Sequence, residues 1–179
     1  VESLYYHPGI RWHIRRIYVL NPIEFTTIRR NEVKSKILGG TAMRIAQGKE
    51  DEPYLVTTKQ IVQRASMVLT NVHYVIEAEF EMLPEKAAPG DNPGKFQDIV
   101  TRRMRKGQCF STPYFGCREF PAHFKQWEGG PIPTIDETRD LGFMLYDFDY
   151  SDPQNITPLY FRAKMEHGVI QVAGCEVFR

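Results

Sequence analysis

Hydrophobic and polar positions alternate most clearly between residues 72 and 82, where Val72, Tyr74, Ile76, Ala78, Phe80 and Met82 are interleaved with His73, Val75, Glu77, Glu79 and Glu81. Successive strand residues face opposite sides, so this period of two predicts a half-buried strand with a glutamate-rich outer face. The run at 61–69 also reads as a strand, and Thr70-Asn71 between the two predicts a hairpin. Upstream, WHIRRIYVL (12–20) and IEFTTIRR (23–30) read as two strands separated by a turn at Asn21-Pro22. Residues 1–7 read as the last turn of a helix ended by Pro8 and Gly9. Residues 31–58 lose any period and read as an irregular insertion.

A Pro/Gly/Ala-rich loop at 83–92 leads into the one long helical pattern. Asn92 supplies a capping side chain, Pro93 suits the first helical position, KFQDIVTRRMRK continues the helix and Gly107 stops it. Arg102, Arg103, Arg105 and Lys106 load its last turns, where cations oppose the negative end of the helix dipole. Downstream, residues 114–124, 141–150 and 159–165 read as strands, the last with Leu159, Phe161, Ala163 and Met165 on one face. His167-Gly168 then predicts a hairpin into Val169-Ile170. This order fits an α+β fold: a split βαβ, ferredoxin-like unit without its first strand, followed by a β-rich appendage.

Composition sets outer bounds. At 179 residues, 42% hydrophobic and 25% charged, the chain is one large domain or two small ones and needs no disulfide or metal staple to hold a core. Every apolar run is broken before the ~18 residues of a membrane span, and no secretory leader is visible. Cys109, Cys117 and Cys175 are an odd set without a CxxC pair, which suits a reduced, cytoplasmic setting. The net charge of +1 is an average over a segregated chain. Residues 1–50 carry nine Lys or Arg against four acids, residues 101–118 carry five against none, and residues 128–152 carry seven acids and one Arg. Such a chain can hold phosphates on one face, although solvated faces account for charge clusters as well.

Several enzyme motifs are absent: no GxSxG, HExxH, phosphate loop or GxGxxG occurs. Asp147 and Asp149, two apart on an expected strand, share a face as a metal-dependent nuclease would require, yet no third ligand stands at useful spacing. Cys109, Cys117 and His123 fit no structural zinc spacing. The stretch STPYFGCREFPAHF (111–124) combines aromatics with Arg118 and a glycine, which suits either a floor for stacked bases or a packed strand with a proline bulge.

Taken in order, YYHPGIRWHIRRIYVLNPIEFTTIRRNEV, VHYVIEAEF, NPGKFQDIVTRRMRKGQ, PYFGCREFPAHF, LGFMLYDFDY and FRAKMEHGVI resemble the CRISPR-associated Cas-five family in its Dvulg, or type I-C, variant, from Val1 to about Ile170. The resemblance implies a ferredoxin-like (RRM-like) RAMP domain over residues 1–110, which binds RNA and carries catalysis, and a β-rich extension over 111–179. Members of that family begin with a strand and most of a helix before the point matching Val1, so the chain is expected to lack that piece. The family cuts precursor CRISPR RNA at the base of its repeat hairpin without metal or other cofactor. It then stays on the 5′ handle beside the other type I-C interference-complex subunits.

The implied reaction is attack by a ribose 2′-OH on the adjacent phosphate, leaving a 2′,3′-cyclic phosphate. It needs a base, a cation for the phosphorane charge and an acid for the 5′-oxygen. In the family these tasks fall to a Tyr and an adjacent Lys-His pair. Tyr5 and Lys95 match the first two, whereas Phe96 stands at the His position. Phenylalanine donates no proton, so either Lys95, His7 or His73 takes the acid's task, or the chain is a weak or inactive subunit that caps the 5′ handle. Expected RNA contacts are Arg29, Arg30, Arg102, Arg103, Arg105, Lys106 and Arg118.

Overall fold

The computed structural model describes residues 1–35, 38–49, 54 and 56–179. Its elements run β1 (Ile10–Val19), β2 (Glu24–Val33), α1 (Gly39–Ala46), α2 (Thr57–Gln60), β3 (Ile61–Thr70), β4 (Tyr74–Met82), α3 (Pro93–Arg105), β5 (Arg139–Asp149), β6 (Thr157–Glu166), β7 (Val169–Gln171) and β8 (Val177–Phe178), with a 3-10 turn at Pro84–Lys86. The fold is mixed, with antiparallel sheets and few helices. Residues 1–22 and 73–179 form one compact unit and residues 23–72 a second. No helix among the described residues is long and apolar enough to cross a membrane.

The first unit is built on a sheet of order β4-β1-β7-β6-β5, with β8 paired to β6. It takes β1 and β4 from residues 1–110 and β5 to β8 from residues 111–179. Alternation sorts the β1–β4 pair into two faces. On one, Ile10, Trp12 and Ile14 lie opposite Met82, Phe80 and Ala78. On the other, His13 pairs with Glu81 at 3.1 Å, Arg15 with Glu79 at 3.1 Å and Arg16 with Glu77 at 3.3 Å. A bulge between Ile14 and Arg16 lets Arg16 join Arg15 on this charged row.

The apolar face meets α3. The Asn92 side chain accepts the Lys95 N–H at 2.9 Å and Pro93 follows it, as expected from the sequence, while Gly107 at φ +62° takes the left-handed turn that ends the helix. Phe96 and Val100 lie one turn apart and are buried, with Ile99 and Met104 beside them. Together with Tyr5 and Ile10 they form a core against Trp12, Phe80 and Met82. Phe96 is its centre, with 0% of its surface exposed.

In the rest of the sheet, Phe161, Ala163 and Met165 of β6 are buried in alternation, as read from the sequence, with Val19, Ile170 and Val172 also buried. The predicted β6–β7 hairpin is present. His167 and Gly168 both have positive φ, +47° and +74°, and a Cβ on Gly168 would come 2.5 Å from the Ile135 carbonyl oxygen, so only glycine fits.

In the second unit β2 and β3 pair along their whole length, from Glu24 opposite Thr70 to Val33 opposite Ile61. The segment read as an irregular insertion, 31–58, holds the end of β2, all of α1 and the start of α2. Two further expectations are corrected. Asn71, at φ +49°, does turn the chain, yet β3 pairs with β2 and β4 with β1, so no hairpin joins β3 to β4. Residues 114–124 form only an isolated bridge, Tyr114 with Pro121: Pro113 and Pro121 have no N–H to give a ladder, and Gly116 turns at φ +73°. The N-terminal residues make a single turn, with the Leu4 N–H on the Val1 carbonyl at 2.9 Å and the Tyr5 N–H on the same oxygen at 3.4 Å.

Because Phe96 is fully enclosed, a histidine there would bury a polar ring among apolar neighbours. Phe96→His should lower unfolding stability by about 2–3 kcal/mol, read as a reduced urea midpoint. An unchanged midpoint would mean that position 96 reaches solvent.

Candidate functional site

Tyr5 is fixed through its backbone and its ring. Its carbonyl accepts the Trp12 indole N–H at 3.0 Å, and the neighbouring Leu4 carbonyl accepts an Arg103 guanidinium N–H at 3.0 Å. The same guanidinium lies 5.0 Å over the Tyr5 ring, and the Phe96 ring packs 6.1 Å away. The Ser3 carbonyl takes N–H groups from Phe110 and Ser111 at 2.8 and 3.0 Å. The N-terminal turn is thus fastened to β1, to α3 and to the segment after α3. Burial pushes the Tyr5 phenol pKa up, outweighing the opposing pull of Arg103 and Lys95, so the hydroxyl keeps its proton at neutral pH.

Lys95 enters from the first turn of α3. Its ammonium meets an Asp91 carboxylate oxygen at 2.8 Å, and the other Asp91 oxygen accepts the Ala88 N–H at 2.8 Å. Asp91 is enclosed while Lys95 is half exposed. The Lys95 hydrogen bond, followed by the Ala88 N–H, holds the Asp91 pKa below the usual aspartate value, and Asp91 in turn raises that of Lys95. Lys95 is therefore a permanent cation at neutral pH and no base. Asp91 was not singled out from the sequence, although its i, i+4 spacing to Lys95 across the Asn92 cap is a readable signal.

His7 completes the group. Its Nδ1 accepts the Gly9 N–H at 3.0 Å, its ring centroid is 4.8 Å from that of Phe96, and its Nε2 is 3.8 Å from Asp91. His73 precedes the opposite end of β4, whose nine residues extend roughly 25 Å, so it does not share this cluster.

The expected RNA contacts fall in three places. Arg102, Arg105 and Lys106 are exposed at the end of α3 and have no carboxylate partner among the described residues, whereas half-buried Arg103 holds the Tyr5 turn. Arg118 is exposed on the 111–124 loop and lines an open groove of about 1550 Å³ with Tyr74, Tyr114, Phe115 and Lys125. Arg29 and Arg30 belong to β2 of the second unit, where Arg29 is exposed and Arg30 pairs with Glu32 at 3.4 Å.

The acidic pair considered for a metal is otherwise engaged. Asp149 is ion-paired with Arg179 and accepts the Ser151 N–H, and Asp147 accepts the Phe148 N–H. No three His, Cys, Asp or Glu side chains gather as a metal site among the described residues, so Cys109, Cys117 and His123 do not converge.

The Asp91–Lys95 pair has a pH signature. A depressed aspartate pKa stabilises the fold above its ordinary value of 3.8, and that contribution is lost as pH falls through the lower folded value; a raised lysine pKa contributes below 10.5 and is lost above. The gap in thermal midpoint between the parent and Asp91→Asn should be constant from about pH 5 to 9 and narrow progressively as pH falls below 3.8. A gap independent of pH would show that the pair does not form in solution.

The profile of a CRISPR-associated protein family, Cas5 in its Cas5d form, matches residues 3–173. A protein of Mannheimia succiniciproducens named CRISPR pre-crRNA endoribonuclease Cas5d is 39% identical over 96% of this chain and 78% of its own length. One of Thermus thermophilus with the same name is 30% identical over 96% of this chain and 75% of its own. Among solved structures, a functionally uncharacterized protein of Streptococcus mutans superposes with a TM-score of 0.64 at 20% identity, covering 99% of this chain and 80% of that one. A structure described as a CRISPR-associated protein gives 0.61 at 20% identity, covering 99% and 79%; these two likenesses speak for the fold alone. With its profile match running almost end to end and two relatives at 30% identity or more, the chain belongs to the Cas5d family of CRISPR-associated proteins.

Proposed function

We propose that this chain is an endoribonuclease that cuts CRISPR repeat RNA without metal, by attack of a ribose 2′-OH on the adjacent phosphate, and then stays on the 5′ handle as a type I-C interference-complex subunit. The observation that carries the reading is the meeting of Tyr5 and Lys95, ninety residues apart in sequence, at Phe96: the Tyr5 ring lies 6.1 Å from the Phe96 ring, and the Lys95 ammonium, paired with Asp91, lies 6.0 Å from the same ring. Lys95 brings a fixed positive charge to the phosphorane oxygens, and the half-exposed ammonium keeps donors free for them. Tyr5, a phenol that holds its proton at neutral pH, gives it to the departing 5′-oxygen, while the 2′-OH proton leaves to solvent. The bond from phosphorus to the 5′-oxygen breaks as the bond to the 2′-oxygen forms, giving a cyclic phosphate and a 5′-OH end.

The same proposal takes residues 1–110 as a ferredoxin-like RAMP domain and 111–179 as its β-rich extension. Its support is the β1–β4 antiparallel pair with α3 packed across the apolar face. The unpaired cations at the end of α3 lie about 10–17 Å along the helix from Lys95, a reach of two or three nucleotides of backbone. Arg103, engaged with the Leu4 carbonyl, serves this reading by fixing Tyr5.

Incubated with a repeat hairpin in EDTA, the protein should give one discrete product ending in a 2′,3′-cyclic phosphate, and Tyr5→Phe should slow its formation by about 10²–10⁴-fold. A Tyr5→Phe protein as fast as the parent would remove Tyr5 from the mechanism. Tight, salt-sensitive binding without any cutting would support the alternative, a structural cap on the 5′ handle, and cutting only with Mg²⁺ would return attention to Asp147 and Asp149.

A further inference from the structure

We infer that His7 is a third group of the reaction centre: a neutral imidazole whose Nε2–H donates a hydrogen bond to a non-bridging oxygen of the scissile phosphate. The inference rests on the reading of the chain as an RNA-cleaving transesterase. It starts from the Gly9 N–H, which can only donate. To accept it at 3.0 Å, Nδ1 must present its lone pair, which leaves the ring proton on Nε2.

Packing fixes the ring in that orientation. The Phe96 ring lies 4.8 Å away on one side, and the Tyr5 ring is nearly parallel to it, at 16° and 6.4 Å. Gly9 is needed for the approach, since a Cβ there would come 3.1 Å from His7 Nδ1 and 3.1 Å from Ala87 Cα. Phe96 therefore acts as the wall against which the imidazole rests.

The Nε2–H is left without a hydrogen-bond partner among the described residues, because Asp91 at 3.8 Å is too far. The His7 side chain is 29% exposed, so the donor reaches solvent. The groups facing it are Asp91 from the loop before α3, Lys95 and Phe96 from α3 and Tyr5 from the N-terminal turn, with Arg103 behind the Tyr5 ring. Lys95 is paired with Asp91 but half exposed, so an incoming phosphate finds the open side of that ammonium and one oriented neutral donor beside it. A fixed donor of this kind stabilises charge that develops in the transition state without taking up a proton itself.

The test uses the whole chain: single-turnover cleavage of a repeat hairpin in EDTA, from about pH 5.5 to 9, by the parent and by His7→Ala, His7→Gln and Gly9→Ala. His7→Ala should lose about 10²–10³-fold at saturating RNA. His7→Gln, which keeps an N–H near the Nε2 position, should regain part of that. Gly9→Ala should fall between, and the shape of the pH profile should survive in all three. A His7→Ala rate within twofold of the parent, or loss of one limb of the pH profile with His7, would overturn the role. If the parent binds but does not cut, the cleavage reading fails by itself, and the His7 contact is decided by ¹⁵N NMR with a repeat hairpin carrying a 2′-deoxy nucleotide at the scissile position. Nδ1 unprotonated and an Nε2–H resonance that shifts on RNA binding would uphold it, whereas an unmoved resonance would overturn it.

Discussion

The candidate site depends on the docking of the N-terminal turn onto α3. Two carbonyls, of Leu4 and Tyr5, are claimed by Arg103 and Trp12, and the rings of Tyr5 and His7 lie against Phe96. Each hydrogen bond contributes only about 1 kcal/mol, so the fixing comes from their convergence with core packing rather than from any one contact. Phe96 is central in a physical sense: it is the residue that the first-turn position of α3 buries completely, and both aromatic members of the cluster rest on it. The Asn92 cap acts at the same place, setting where α3 starts and hence where Lys95 emerges.

Charge is distributed more selectively than the counts along the sequence imply. Two of the nine Lys or Arg in the first fifty residues, Arg15 and Arg16, are paired within the sheet with Glu79 and Glu77, and His13 lies against Glu81. Exposed cross-strand pairs of this kind add little stability each, but they leave the charges of Arg15 and Arg16 matched by glutamates. Among the described residues, Arg102, Arg105 and Lys106 at the end of α3 and Arg118 are cations without a carboxylate partner. The acids of the 128–152 stretch are partly neutralised as well, by Arg162 on Asp140 and Arg179 on Asp149.

Local signals were the ones readable in the sequence. The Asn92-Pro93 start and Gly107 stop of α3, the glutamate alternation of β4 and the His167-Gly168 turn each depend on a few adjacent residues and are found in the structure. The partner of β4 was not readable, because pairing with β1 across more than fifty residues competes with the nearby β3, and no local feature of Thr70-Asn71 decides between them. The aromatics of 111–124 suggested a strand, but the absent N–H groups of two prolines outweigh that propensity. Within the site, Tyr5 and Lys95 were singled out by resemblance and His7 as one possible substitute acid. Phe96, Ile99, Val100 and Met104 stand at helical spacing, a pattern not used in the sequence reading, and the structure packs all four in the core. Asp91 left a readable signal in its i, i+4 spacing to Lys95, whereas the hold of Arg103 on the Leu4 carbonyl, ninety-nine residues away, is not encoded in any local pattern.

The central claim is that one fold-imposed contact brings Tyr5 and Lys95 to the same phosphate. A double-mutant cycle on single-turnover cleavage, with Tyr5→Phe, Lys95→Met and both together, tests it most directly. Two groups acting in one transition state should be coupled, so the double variant should be little slower than the slower single one. Losses that simply multiply would mean that the two side chains act independently and would contradict the account.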